Sequence, residues 1–167
     1  MKEEDFLHLS SWEFDQGDRG WRQFEDGGKI KEAIKLIATY LATHEKDMRG
    51  FKNDEAAGTV SLQLLHFHRG QLLAELGEEH YARAIQDFKQ AYYGDGLWWD
   101  TYVCGTIAFL ERNKDELMST IEKLESEDGV RVNGAILKNL LKSIDSKIYS
   151  YRDVYPLPVK KKPIRDS

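Results

Sequence analysis

The residues best suited to acid–base or metal chemistry are three of the five histidines, His66, His68 and His80. An imidazole exchanges protons near neutral pH, and two imidazoles on one helix face can hold a divalent metal. His66 and His68 are separated by about 200° around a helix, so they point to opposite faces. His80 belongs to a turn. We therefore predict no metal site and no cofactor, with imidazoles that lie on the surface or face a partner.

Other catalytic groups lack the spacing that catalysis requires. The 29 acidic residues are scattered along the polar faces of expected helices. The glycine pairs near Gly17 and Gly27 lack the phosphate-binding pattern, and no serine stands in a nucleophile elbow. Cys104 has apolar neighbours and no basic one, which favours a buried structural thiol. We predict that the protein is not an enzyme; the alternative is a helical hydrolase that uses the three histidines above.

Composition and charge limit the class of protein. With 41% hydrophobic and 32% charged residues, the chain is neither disordered nor membrane-like in composition. No apolar run approaches the roughly 18 residues of a membrane span, and the acidic N-terminus lacks signal-peptide features, so we expect a cytoplasmic location. The formal charge is −5, with +2 on residues 153–167 and therefore −7 on residues 1–152. This acidic body argues against a nucleic-acid partner and permits electrostatic steering toward a basic protein partner; the alternative is that the charge only keeps the protein soluble.

The elements that must position these residues are helices. All three prolines lie at positions 156 to 163, so the preceding residues contain no obligate helix breaker. Apolar residues recur at helical spacing in two long stripes, Ile30 to Leu41 and Leu137 to Tyr151. Asn133 is the expected N-cap of the second stripe. No alternating run flanked by hairpin turns stands out, and the fold is predicted to be all-α.

Two adjacent segments combine small and large apolar residues in a fixed order. In the first, Gly70 is expected to face a neighbouring helix and Gly77 to end the helix with left-handed backbone geometry. In the second, Ala84, Phe88 and Ala91 share one helix face. Small residues let two helices approach closely, and Phe88 fills the space that remains between adjacent pairs.

This order resembles the tetratricopeptide repeat, with two additional residues in the turn at 78–80. A more divergent copy starts with Gly105, 35 residues after Gly70, against a family period of about 34 residues. Its turn and second helix are marked by Asn113-Lys114, Leu117, Ile121 and Leu124. The stretch from Gly28 to Ile37 resembles the turn and second helix of a degenerate first unit, whose first helix would lie around Trp12 to Phe24.

The resemblance implies antiparallel helix pairs stacked in a short right-handed array. We expect one domain over residues 1–152, with a capping helix that covers the last apolar face. The expected units span about residues 12–48, 54–93 and 96–126, with the capping helix at 133–152. The segment 43–57 either extends a helix or forms a loop. Residues 153–167 are expected to form a flexible basic tail.

In such an array, the resemblance implies that the first helix of each pair lines a groove that binds peptides or partner surfaces. The expected partner-binding residues are Phe67, Gln71, Glu75, Trp99, Tyr102, Thr106 and Phe109. Exposed aromatic rings are common binding anchors, although the same rings are equally suited to core packing. The clamp that some family members use for a C-terminal carboxylate is absent. Trp12 and Trp21 either staple the first helix pair or form a second contact surface.

These features predict a non-catalytic module that binds a protein or peptide partner, as an adaptor, an inhibitor or an immunity protein. The partner is expected to be basic, and neither nucleic acid nor a membrane is expected as a partner. In solution we expect a monomer or a weak homodimer. The alternative is a self-associating structural scaffold whose aromatic groove buries its own neighbour.

Overall fold

A computed structural model describes residues 3–126, 131–146 and 150–155, and within these ranges the regular elements are helices. The all-α prediction is confirmed for this part of the chain. The α-helices in it are α1 (Glu3–Phe6), α2 (Ser11–Asp15), α3 (Arg22–Asp26), α4 (Ile30–Met48), α5 (Leu62–Glu75), α6 (Tyr81–Gln90), α7 (Trp98–Leu110), α8 (Lys114–Glu125), α9 (Arg131–Ser143) and α10 (Tyr151–Val154). A single 3-10 turn at Glu78–His80 forms the lengthened connection between α5 and α6.

The first unit has no single first helix over residues 12–24, contrary to the prediction. Two short helices, α2 and α3, occupy this stretch instead. The chain turns sharply at Gly20, where a Cβ atom would lie 1.7 Å from the Phe14 carbonyl oxygen. The Trp21 backbone N–H donates to that same oxygen at 3.3 Å. A glycine-rich turn of this kind ends α2 and starts α3 in a new direction.

The long helix α4 follows the predicted apolar stripe, and its inward face includes Ala33, Ile37 and Tyr40, all almost completely buried. It continues to Met48. The segment 43–57 therefore divides into the last turns of α4 and a loop. That loop is closed by reciprocal backbone hydrogen bonds of 2.9 Å between Asp54 and Thr59.

Helices α5 and α6 form a close pair around Gly70, as the sequence predicts. A Cβ atom on Gly70 would lie 2.9 Å from the Phe88 ring and 3.2 Å from the Ala84 carbonyl oxygen. The α6 face that carries Ala84 and Phe88 is buried. Gly77, with φ of 126°, follows the end of α5 in a conformation that L residues rarely adopt.

Helices α7 and α8 form the second pair in the same way. A Cβ atom on Gly105 would lie 2.5 Å from the Leu137 side chain and 2.9 Å from the Thr120 hydroxyl. The turn contains Asn113, whose side chain caps α8 by accepting the Glu116 N–H at 3.2 Å. The apolar residues predicted for the inward face of α8 are buried, namely Leu117, Ile121 and Leu124.

The helices pack in chain order from α3 to α9, and α9 also contacts α7. The range 133–152, predicted as one capping helix, does not form a single helix, because α9 ends at Ser143 and a turn follows. Asn133 lies inside α9 and is not its N-cap. The second stripe therefore continues into a separate helix, α10, which packs on α5 and α9. Residues 156–167 of the predicted tail lie outside the described residues, and Asp153 and Val154 belong to α10.

None of the helices in the described ranges combines the length and the apolar character that a membrane crossing requires. The buried apolar residues instead form one core cluster that runs from Phe6 in α1 to Tyr151 in α10.

Two glycine substitutions test whether close approach sets the helix-pair geometry. Gly70→Ala should destabilise the protein by about 1–2 kcal/mol, because the new methyl group overpacks the buried Phe88 ring. Gly134→Ala in α9 is the matched control, since a Cβ atom there meets nothing within 4 Å. It should stabilise the protein by about 0.5–1 kcal/mol through helix propensity alone. Urea unfolding of both variants gives the comparison, and equal effects of the two would contradict the close-approach argument.

Candidate functional site

The seven predicted partner-binding residues divide into a buried and a partly buried group. The buried group lies on α5 and α7, with at most 3% of each residue exposed: Phe67, Tyr102, Thr106 and Phe109. The Phe67 ring centroid lies 5.2 Å from that of Phe88, 4.9 Å from that of Trp99 and 5.6 Å from that of Tyr102. These rings join α5 to α6 and α7, so core packing describes this group in the isolated protein.

The partly buried group consists of Gln71, Glu75 and Trp99. The Trp99 indole N–H donates to the Ala91 carbonyl oxygen at 2.8 Å, which fixes the ring at the start of α7. The Gln71 side-chain amide donates to the Tyr151 hydroxyl at 3.5 Å. The Gln71 and Trp99 side chains therefore each have a hydrogen-bonding partner elsewhere in the chain.

The helix α10 covers the surface where the predicted residues of α5 and α7 meet. Tyr151 is completely buried, and its ring centroid lies 6.1 Å from that of Phe109. Tyr155 stacks on Tyr151 at 4.8 Å, and its hydroxyl lies 3.1 Å from the Tyr102 hydroxyl. The chain thus places its own aromatic residues on the surface that was predicted to bind a partner.

Two carboxylates at the edge of this surface are chemically unusual. The pKa of Glu75 is raised to about 7, chiefly by burial and also by the nearby Glu25 carboxylate, while the Arg152 guanidinium of α10 acts in the opposite direction. Burial also raises the pKa of Glu25, although Arg22 lies 4.0 Å away and acts in the opposite direction. Because each negative charge opposes the ionisation of the other, a nearby cation stabilises the ionised form of such a pair.

A buried carboxylate, Asp15, joins three elements near the acidic pair. Its Oδ1 atom lies 2.7 Å from Nδ1 of His68 and accepts the Trp21 indole N–H at 2.9 Å. Burial alone would raise the pKa of Asp15, but the charge and hydrogen bond of His68 hold it below the usual value. The arrangement fixes the orientation of the imidazole and connects α2, α5 and the start of α3.

A second histidine–aspartate contact lies on the side of α5 that faces α6. The Asp87 carboxylate contacts Nδ1 of His66 at 3.1 Å and accepts two hydrogen bonds from Arg69, at 2.8 and 2.5 Å. Burial would raise the pKa of Asp87, but the hydrogen bonds and charges of these two partners hold it below the usual value. Arg69 and Asp87 also line a cleft of about 460 Å³ between α4, α5 and α6.

The predicted surface location of the imidazoles is wrong for His66 and His68. They do point to different elements, as the helix spacing requires, but each is partly buried against an aspartate. His80 lies 3.9 Å from Glu79 in the 3-10 turn. In the described ranges, no three His, Cys, Asp or Glu residues are grouped to hold a metal ion. The Cys104 thiol donates to Glu116 at 3.4 Å, and burial together with this contact raises its pKa.

An exposed apolar surface is formed by the connection between α6 and α7 together with the first residue of α7. Three of its large side chains are 40–58% exposed: Tyr93, Leu97 and Trp98. We call these three residues the aromatic edge. The Trp98 ring packs edge-on against Trp99 at 5.8 Å, and the Tyr93 ring lies 6.0 Å from Trp99. Both exposed rings therefore pack on Trp99, whose own position is fixed by its hydrogen bond to the Ala91 carbonyl oxygen.

The loop that carries the aromatic edge is held by Asp100. Its carboxylate accepts backbone N–H groups from Tyr93, Gly94 and Gly96 at 2.7, 2.9 and 3.0 Å. The Tyr93 hydroxyl also contacts the Ser61 hydroxyl at 2.8 Å and accepts from Asn53 at 3.2 Å. A loop with this many fixed points presents its apolar groups in one arrangement.

Comparison with known proteins adds no relative to this picture. No protein-family model, curated protein or solved structure matches the chain.

Sequence reasoning missed the residues that cover the predicted groove. Tyr151 was expected in the capping helix, while Tyr155 fell in the predicted tail. Their four-residue spacing is typical of two rings on one helix face, and this signal could have identified α10. Asp15 had no comparable signal, because its partners His68 and Trp21 are distant from it in sequence or separated by a tight turn.

Asp15→Asn should destabilise the protein by about 2 kcal/mol, because a neutral amide loses the charge that attracts His68, and its NH2 group would face the Gln16 side-chain amide that now donates to Oδ2. Asp18→Asn, a change at an exposed aspartate in the same segment, is the control and should alter stability little. Denaturant unfolding at pH 7 measures both. Equal stability of the Asp15 and Asp18 variants would show that the buried charge does not join these elements.

Glu75→Gln should change stability in a pH-dependent way. Because the folded-state pKa of about 7 lies above the unfolded value of 4.5, the unfolded chain loses its proton first as the pH rises. The glutamate therefore lowers stability progressively between these values. Allowing for solvent screening, the variant should exceed wild type by about 1 kcal/mol at pH 8 and match it at pH 4.5.

Unfolding midpoints at the two pH values test this expectation. Glu55→Gln, at an exposed position in the 49–61 loop, serves as the control and should behave like wild type at both. A Glu75→Gln variant that is less stable than wild type at pH 8 would contradict it.

Proposed function

We propose that this protein is a non-catalytic protein-binding module, built as a short tetratricopeptide-like array in which α9 covers the last helix pair. The array is supported by close contacts at the two glycines: Gly70 lies against α6, and Gly105 lies against Thr120 of α8 and Leu137 of α9. It is also supported by the packing of the helices in chain order from α3 to α9. The proposed roles are those of an adaptor, an inhibitor or an immunity protein in the cytoplasm.

The observation that carries the proposal is the aromatic edge. Leu97 and Trp98 are 58% and 40% exposed, although an isolated folded chain gains nothing from leaving such side chains in water. Large aromatic side chains on a fixed support are the residues that dominate protein–protein binding energies. Because Asp100 already holds the loop, a partner would not have to order it on binding.

The partner is proposed to be a basic protein or peptide. Residues 1–152 carry a formal charge of −7, which attracts a cationic surface over distances longer than direct contact. The apolar anchors would supply affinity, and the charge would supply the rate of association.

The proposal that the protein is not an enzyme is supported by the contacts that two of its histidines make within the fold. His66 and His68, the two imidazoles with buried aspartate partners, belong to separate contacts with Asp87 and Asp15. Both contacts connect neighbouring elements of the fold. Neither imidazole is thus proposed to act on a substrate.

The proposal is tested by affinity capture from an extract of the natural source, with wild type and a Leu97→Ser/Trp98→Ala variant as baits. A retained partner should be lost by the variant, because two exposed anchors together contribute about 2–4 kcal/mol of binding free energy. Met118→Ala, which removes an exposed side chain on α8, is the matched control and should retain the partner. Circular dichroism and thermal unfolding must show that all three baits fold equally.

The outcome is decided by the comparison between baits. Equal capture by all three would contradict a role for the aromatic edge. A purified wild-type protein whose mass rises with concentration, while the variant stays monomeric, would instead favour the self-associating scaffold.

A further inference from the structure

The position of α10 depends on contacts with the rest of the chain. A helix of four residues does not form by itself in water. The Tyr151 backbone N–H donates to the Tyr81 hydroxyl at 3.0 Å, and its side-chain hydroxyl accepts from Gln71 at 3.5 Å. The hydroxyls of Tyr155 and Tyr102 lie 3.1 Å apart. The segment is therefore held in the way that a short bound peptide is held, by two aromatic rings, their hydroxyl groups and one backbone N–H group.

The surface beneath α10 coincides with the surface predicted to bind a partner. Four of the seven predicted residues meet α10 or the following Tyr155 through a hydrogen bond, a ring contact or a charge interaction: Gln71, Glu75, Tyr102 and Phe109. The segment Tyr151–Tyr155 places two stacked rings, four residues apart, on this surface, with the cation of Arg152 between them in sequence. The acidic pair of Glu25 and Glu75 complements that cation.

We propose that the surface beneath α10 is a second protein-binding site, which the chain's own residues 150–155 occupy in the isolated protein. Its partner presents a segment with two aromatic residues four positions apart and an arginine or lysine between them. This inference rests on the proposed protein-binding function, but it concerns a surface that is separate from the aromatic edge.

The polar groups of the site favour replacement of α10 by a partner segment over departure of α10 without a replacement. If α10 left without replacement, the Gln71 amide and the Tyr102 hydroxyl would lose the contacts described above in a largely apolar surrounding, which is unfavourable. A partner segment with the same rings and hydroxyls restores those contacts. The tethered segment competes at an effective concentration in the millimolar range, so a free peptide binds the wild type only weakly.

The test uses the full-length protein and a fluorophore-labelled synthetic peptide, Ser-Tyr-Arg-Asp-Val-Tyr, which repeats residues 150–155. Two variants weaken the internal segment and leave the surface beneath it unchanged. Arg152→Glu at an exposed position places a third carboxylate near Glu75 and Glu25, and Tyr155→Ser removes one ring and its hydroxyl contact. Asp153→Asn, an exposed change on the same helix, is the matched control. Fluorescence anisotropy gives each dissociation constant.

Both weakened variants should bind the peptide at least about tenfold more tightly than wild type, because the competing segment is less well held. Asp153→Asn should match wild type, and a peptide with both tyrosines replaced by alanine should not bind. Should the Tyr155 variant fail to fold, Arg152→Glu alone still decides the question. No binding to a folded Arg152→Glu variant, or binding no tighter than to wild type, would overturn the proposal.

Two further results separate this site from its alternatives. Concentration-dependent dimerisation of wild type that Tyr155→Ser abolishes would assign the surface to a second copy of the chain, and would overturn the partner assignment. Introducing Leu97→Ser/Trp98→Ala into the Arg152→Glu background should leave the peptide affinity unchanged. The peptide measurement therefore tests the surface beneath α10, and the capture experiment tests the aromatic edge. Either of the two can fail while the other succeeds.

Discussion

The rest of the structure depends on the burial of α5, which is contacted from several sides and still carries polar side chains. A polar group taken out of water must find a hydrogen-bonding partner. His66 and Arg69 meet Asp87 of α6, His68 meets Asp15 of α2, and Gln71 meets Tyr151 of α10. Within the described ranges, no buried side-chain nitrogen or oxygen lacks a partner. These contacts specify which elements surround α5, while the apolar contacts supply most of the stability.

The two proposed binding surfaces differ in their accessibility to a partner in the isolated protein. The aromatic edge is open and fixed, because three backbone N–H groups converge on Asp100. The surface beneath α10 is covered, and what covers it is a segment of one helical turn. A partner of the first surface meets anchors that are already in place, whereas a partner of the second must compete with a tethered segment. One small domain thus offers both a constitutive and a conditional contact.

The sequence was informative where a local pattern determines local geometry. The glycines at 70 and 105 predicted the two close helix pairs, and the apolar spacing in α4, α6 and α8 predicted their buried faces. It was less informative where the decisive partner is distant in the chain. A break separates α9, which ends at Ser143, from α10, where Tyr151 contacts Tyr81 and Gln71, 70 and 80 residues away in the chain. Helical periodicity continues through that break, so the stripe alone could not reveal two helices.

The same separation in sequence has a consequence for the order of folding. Contacts within the α5–α6 and α7–α8 pairs join residues that are close in the chain, and such contacts form early because little loop entropy is lost. The docking of α10 joins Tyr151 to Tyr81 and Gln71, so it follows the assembly of the helices beneath it. Loop entropy therefore favours an order in which the helix pairs form before the surface beneath α10 is covered. A binding partner present before that surface is covered encounters no internal competitor.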